Sequence, residues 1–191
     1  MKSKVQYILQ QLLGFDRYLR WFAVFKVYTL KWDSKENDFF TFLSILPQDG
    51  VLLDVGANIG LMTHFMSAHS DEVLAIEPLP ENLRTLEYMN KRFGWKGVCI
   101  LPVAVGAESG EVEMVMPEVD KVRKQGLSHV VHDSITEFNA GKRMKVPMKT
   151  LDELTQDLKK RVVGIKMDVE NFEYFALKGA QRLLRKDRPV V

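Results

Sequence analysis

The chain has 191 residues, 46% of them hydrophobic, and sets 27 basic against 25 acidic residues for a formal net charge of +2. That length suits one globular unit with one sizeable core, and the near-neutral balance excludes the global field expected of a nucleic-acid partner. The single cysteine, Cys99, excludes an intramolecular disulfide and points to a reducing, cytoplasmic setting; inside Val98-Cys99-Ile100-Leu101 it is expected to be a small buried hydrophobe.

Val5 to Leu13 and Tyr18 to Leu30 carry helical periodicity, with Gly14 and Asp16 between them. Neither approaches the roughly 20 apolar residues of a membrane span, so no transmembrane segment is expected. In the second, Tyr18, Trp21, Phe22, Phe25 and Tyr28 are interleaved with Arg17, Arg20, Lys26 and Lys31. Such a stripe most often packs against its own domain; the other use is a peripheral membrane or homo-oligomer contact. Asp33-Ser34-Lys35-Glu36 offers caps for a helix through Phe39, Phe40, Phe42 and Leu43, ended by Pro47 and Asp49-Gly50. Residues 1–48 thus read as an N-terminal helical extension and 49–191 as a single globular unit.

Val51-Leu52-Leu53-Asp54-Val55-Gly56-Ala57-Asn58-Ile59-Gly60 reads as a buried parallel strand, a glycine turn and the start of a helix over Leu61 to Ala68. Gly56 suits a backbone conformation closed to residues with a Cβ, and Gly60 suits close approach of a ligand or a neighbouring strand. The spacing lacks one glycine of the dinucleotide fingerprint. Asp54 would repel a pyrophosphate but attract a ligand carrying an ammonium and a sulfonium. A second apolar strand, Val73 to Ile76, then ends in Glu77-Pro78, where an acid can accept two ribose hydroxyls. This pairing resembles the class I methyltransferases. The resemblance implies S-adenosylmethionine as cofactor, with Asp54, Gly56, Ala57, Asn58, Gly60, Glu77 and Pro78 around it.

Pro80 opens a helix with Leu83 and Leu86 facing inward, stopped by Gly94 or Gly97. Val98 to Val105 reads as a third strand, and Ala104 within Pro102-Val103-Ala104-Val105 lies where adenine would rest in the methyltransferase arrangement. Glu111 to Met116 alternates as an antiparallel strand; Pro117 to Arg143 reads as a long loop. His129 and His132 in it are expected to be solvated, and no metal site is expected because no third ligand is spaced to join them. Met144 to Met148 is a short extended stretch, and Thr150 with Glu153 has the capping-box spacing. Val162 to Met167 is a strand leading to Asp168, Glu170 and Glu173, then to a helix with Phe172, Phe175, Ala176, Gly179 and Leu183 at helical spacing.

Val146 to Leu154 and Ile165-Lys166-Met167-Asp168-Val169-Glu170-Asn171-Phe172-Glu173, together with Asp54 to Gly60 and Glu77-Pro78, resemble the FkbM family of S-adenosylmethionine-dependent methyltransferases. The family commonly has Gly where this chain has Asn171, a residue that also tolerates unusual backbone angles. The expected fold is α/β, a doubly wound and mostly parallel sheet with an N-terminal helical extension. Arg188 to Val191 looks like the start of a strand, so the C-terminal strands look truncated. The resemblance implies methyl transfer to an acceptor, a sugar or small-metabolite hydroxyl above all. Asp168 is the first choice for catalytic base and Glu170 the second, with Lys166 orienting Asp168 or keeping it ionised. A non-catalytic cofactor- or partner-binding domain and a nicotinamide-dependent Rossmann enzyme are the alternatives.

Overall fold

The computed structural model describes residues 2–30, 36–119, 122–123, 125–132 and 140–191. In chain order the elements are α1 (Lys2–Leu13), α2 (Phe15–Thr29), α3 (Asn37–Ile45), β1 (Val51–Val55), α4 (Leu61–His69), β2 (Glu72–Ile76), α5 (Pro80–Phe93), β3 (Val98–Leu101), β4 (Ala104–Val105), β5 (Gly110–Val119), β6 (Val122–Arg123), β7 (His129–Val130), β8 (Gly141–Lys149), α6 (Leu151–Leu154), β9 (Val162–Met167), α7 (Glu173–Lys178) and α8 (Gln181–Asp187). The cap residues expected at Asp33, Ser34 and Lys35 lie outside the described residues.

The main sheet runs β3-β2-β1-β9, every pairing parallel, and all of β1 is buried. A parallel sheet survives only with both faces covered, and alternation along β1 divides its side chains between two layers. Val51, Leu53 and Val55 join Leu151, Ala176, Ala180 and Leu183 of α6, α7 and α8. Leu52 faces the opposite way, with Leu43 and Leu46 at the end of α3 and Met66 of α4. The sheet is therefore wound on both sides, and Val190 adds a parallel bridge to Gly164 at the β9 edge.

Residues 98–105 do not form one strand. Pro102 has no N–H for the ladder, so β3 stops at Leu101 and β4 leaves to pair with Met148 and Lys149 of β8. Cys99 is exposed rather than buried, because β3 is the edge strand and alternation turns that position outward. Nor is 117–143 a plain loop: β5 pairs with β8 from Gly110–Met148 to Pro117–Gly141, and β7 joins β5 on the other side. Met144 to Met148 is extended as expected, but Lys142 and Arg143 hid the start of that strand, which β5 draws back to Gly141. His129 is buried for the same reason, its Nδ1 3.0 Å from the Leu127 carbonyl oxygen, and the exposed His132 packs its ring against Phe175.

Two helix details also depart from expectation. The inner face of α5 is Asn82, Thr85, Leu86 and Met89, with Leu83 only half-buried. The last helix divides in two, because Asp152 caps a new start: its carboxylate accepts from the N–H groups of Arg182 and Leu183, and its own N–H donates to the Gly179 carbonyl. The Thr150 cap is present, its hydroxyl accepting from Glu153 N–H at 3.1 Å. Among the described residues, no helix is long and apolar enough to cross a membrane.

Candidate functional site

β1 delivers the chain to a turn in which Gly56, Asn58 and Gly60 have φ of 78°, 52° and 85°. The N–H groups of Gly56 and Ala57 both donate to the Ile76 carbonyl, at 3.0 and 2.9 Å, which ties the turn to β2. A Cβ on Gly56 would stand 2.0 Å from the Asp168 carbonyl oxygen, so this glycine lets the turn meet the end of β9. At Gly60 a Cβ would strike Leu86 of α5 at 2.6 Å and Trp95, two residues past that helix, at 2.8 Å, so within the fold this glycine admits the close packing of α5 and Trp95. Ala57 is buried with Ala75 and Leu86.

Beneath the turn lie Asp54 and Lys166, which are partners in the β1–β9 register. Asp54 is fully buried; its Oδ2 accepts from the Thr63 hydroxyl at 2.6 Å, and its Oδ1 stands 3.3 Å from Lys166 Nζ. Lys166 also donates to the Gly56 carbonyl at 3.0 Å and lies 3.9 Å from Asp168 Oδ2. The lysine therefore neutralises Asp54 and clamps the turn. Neither side chain lines the cleft above it.

That cleft is built at the carboxyl ends of β1, β2, β4 and β9, where an open α/β sheet presents its ligand crevice. Gly56, Asn58, Glu77, Pro78 and Ala104 line it, with Asp168 and Glu170 at the β9 end. It is a narrow cleft of about 60 Å³ that opens to solvent, below the roughly 300–1,000 Å³ of typical small-molecule sites. One wall is apolar: Leu79, Ala104, Met114, Val130 and Phe172, from the second sheet and the strand ends, form a common core. Such a wall suits a flat ring.

The opposite side is polar. Glu77 is almost wholly buried; its Oε2 accepts from Asn58 N–H at 2.8 Å, and its Oε1 from Leu79 N–H at 2.9 Å and Asn82 Nδ2 at 3.2 Å. Burial pushes its carboxyl up to about 7, against the pull of those donors and of the Lys166 charge. Three polar atoms, Asn58 Oδ1, Asn82 Oδ1 and Ser128 Oγ, are buried without a hydrogen-bond partner among the described residues, and all three residues line the cleft. Buried polar groups are nearly always paired, so this cluster fits a ligand rich in hydroxyl and amine donors. Sequence reading missed Asn82 and Ser128. For Asn82 a signal existed: it lies on the same helical face as Leu86 and Met89, four and seven residues on.

At the β9 end, Glu170 and Asn171 both have left-handed backbones, φ 48° and 68°. Consecutive non-glycine residues in that region are costly and cluster at functional sites. Burial, then the charges of Asp168 and Glu173, push the half-buried Glu170 carboxyl above its ordinary range. Asp168 differs, its side chain being 67% exposed. Glu173 turns away to accept from Val169 N–H at 3.1 Å. No group of three or more His, Cys, Asp or Glu among the described residues is arranged to hold a metal ion.

The family profile for the methyltransferase FkbM domain matches residues 54–191. The chain belongs to the FkbM methyltransferase family. The match spans the glycine turn, Glu77 and the β9 end, so the cleft falls wholly within the domain. The fold is similar to that of methyltransferase FkbM from Methylobacillus flagellatus KT, with 20% identity, a TM-score of 0.51, and coverage of 76% of this chain and 33% of that one. The chain thus spans about a third of the length of that relative. Weaker likenesses are to a Streptococcus mutans protein in complex with SAH (17% identity, 36% of this chain and 39% of that one, TM-score 0.35) and to a Listeria monocytogenes protein (14%, 62% and 76%, TM-score 0.30). No curated protein sequence matches the chain.

Proposed function

We propose that this chain binds S-adenosylmethionine in the cleft and directs its methyl group to a hydroxyl of a sugar or small metabolite. The observation that carries the reading is the buried Glu77 carboxylate beside the unpartnered Asn58 and Asn82 oxygens, within a methyltransferase family domain. Ribose hydroxyls are donors that fit those acceptors. Ala104, Val103 and the apolar wall suit the adenine, and the glycine turn lies beside the remainder. When bound, S-adenosylmethionine supplies an electrophilic methyl on a sulfonium.

For a hydroxyl acceptor the protein must align the two molecules and remove one proton. Glu170 suits the second task better than Asp168. Its carboxyl is half-buried with a raised proton affinity, whereas Asp168 is mostly in water and near Lys166. We therefore assign the proton transfer to the Glu170 carboxylate and an acceptor-anchoring role to Asp168. Glu170→Gln should retain SAH binding by calorimetry while transfer of labelled methyl to the acceptor hydroxyl falls about 10²-fold, the size typical of losing a general base. Asp168→Asn should lose less. The reverse order would return the base to Asp168, and full activity in both would remove β9 from the proton transfer.

A further inference from the structure

Among the described residues, a cluster of exposed large apolar side chains lies away from the cleft, on the N-terminal helix pair. Val5, Ile8 and Leu12 on α1 are 54%, 54% and 77% exposed, and Trp21, Phe25 and Tyr28 on α2 are 52%, 49% and 59% exposed. Each set falls on one face of its helix by spacing, and a groove lined by Val5, Trp21 and Phe25 joins the two stripes. Trp21 and Phe25 stack at 5.6 Å, forming a flat aromatic plate. The inner face of α2 is used otherwise, Tyr18, Leu19, Ala23 and Val27 being buried against α5 and the glycine turn. The aromatic stripe read from sequence is therefore two stripes, one packed and one bare.

Charge selects the partner. α1 contains two lysines and no acid; α2 carries the exposed Arg17 and the half-buried Lys26, while its Arg20 is turned onto the Tyr88 ring of α5 and its one acid, Asp16, is held by Arg84 at 2.8 Å. A two-fold contact through this face would set like charges against each other, which disfavours a second copy. Tryptophan and tyrosine beside exposed aliphatic side chains and a basic rim match the interface of an anionic bilayer, with the apolar stripes at the acyl boundary and the cations at the headgroups. We propose that the α1–α2 face is a peripheral docking surface for anionic lipid membranes.

The test is co-sedimentation of the chain with vesicles of phosphatidylcholine alone and of phosphatidylcholine mixed equally with phosphatidylglycerol. Binding is expected to the mixed vesicles and to weaken with salt, since headgroup attraction is screened. The double variant Trp21→Glu/Phe25→Glu should reduce it by about tenfold or more, and Arg17→Glu, at an exposed position, should reduce it only on the anionic vesicles. Both variants should keep the wild-type melting midpoint and SAH affinity, which separates loss of docking from loss of fold or of the cofactor site. Equal binding by wild type and the double variant, no binding to anionic vesicles, or a wild-type dimer that the double variant dissolves would each overturn the proposal.

Discussion

Gly56→Val should abolish SAH binding and lower the melting midpoint. At φ 78° a β-branched residue is strained by about 1–3 kcal/mol before any contact is considered. Contact adds more, because the new Cβ would stand 2.0 Å from the Asp168 carbonyl oxygen, backbone that is itself held by Asp168 N–H donating to the Val55 carbonyl. Relief requires β1 and β9 to part at their carboxyl ends. The Lys166 clamp between Asp54 and the Gly56 carbonyl would be disturbed in the same movement. Gly56→Ala carries the same first clash and should show the same effects, smaller in degree. Calorimetry with SAH and a thermal melt measure both. Wild-type affinity in the valine variant would reduce the turn to a connection.

Glu77→Ala should weaken SAH by roughly 2–4 kcal/mol, at least tenfold in affinity, taking about 1.5–3 kcal/mol per hydrogen bond to a charged group and discounting for returning water. The loss has a second source, since Asn58 N–H, Leu79 N–H and Asn82 Nδ2 all donate to this carboxylate and would lose the partner that shapes the cleft. The wild-type pH dependence carries the same signature. The folded carboxyl holds its proton up to about pH 7 against an ordinary 4.5, so its contribution to stability is full below 4.5 and lost as pH rises through 7. Binding runs the other way. If ribose hydroxyls are donated to the ionised form, SAH affinity should rise as pH increases through about 7 and then level off. Unchanged affinity in the alanine variant, with its fold intact, would remove Glu77 from the site.

Much of this was legible in the sequence because it depends on local pattern. β1 and β2 are short apolar runs whose acids stand at a glycine or a proline, β9 is one that leads into Asp168, and the parallel order follows from the helices between them. The cleft residues at those strand ends could therefore be named together. What stayed hidden depends on partners distant in sequence. The Met144 to Met148 part of β8 could be read, but its start, with Lys142 and Arg143, becomes strand only against β5, and the sheet that the pairing builds carries the wall bearing Met114, Ser128 and Val130. The side-chain roles of Asp54 and Lys166 were also beyond pattern. A charged pair facing each other in register reads, in one dimension, as two unrelated charges at strand ends, whereas in the folded sheet they form an ion pair at 3.3 Å. The proposal that ranks Glu170 above Asp168 rests on exposure and backbone strain, which have no one-dimensional signal.

The central claim is that the cleft is built for S-adenosylmethionine, and ligand-induced stabilisation tests it most directly. A ligand that binds only the folded chain raises its midpoint by mass action; at a hundredfold excess over the dissociation constant the gain is about 2.7 kcal/mol, or roughly 5–10 °C for a chain of 191 residues. The melting midpoint should rise by that amount with SAH and stay unchanged with NAD. A rise with NAD and none with SAH would contradict the account.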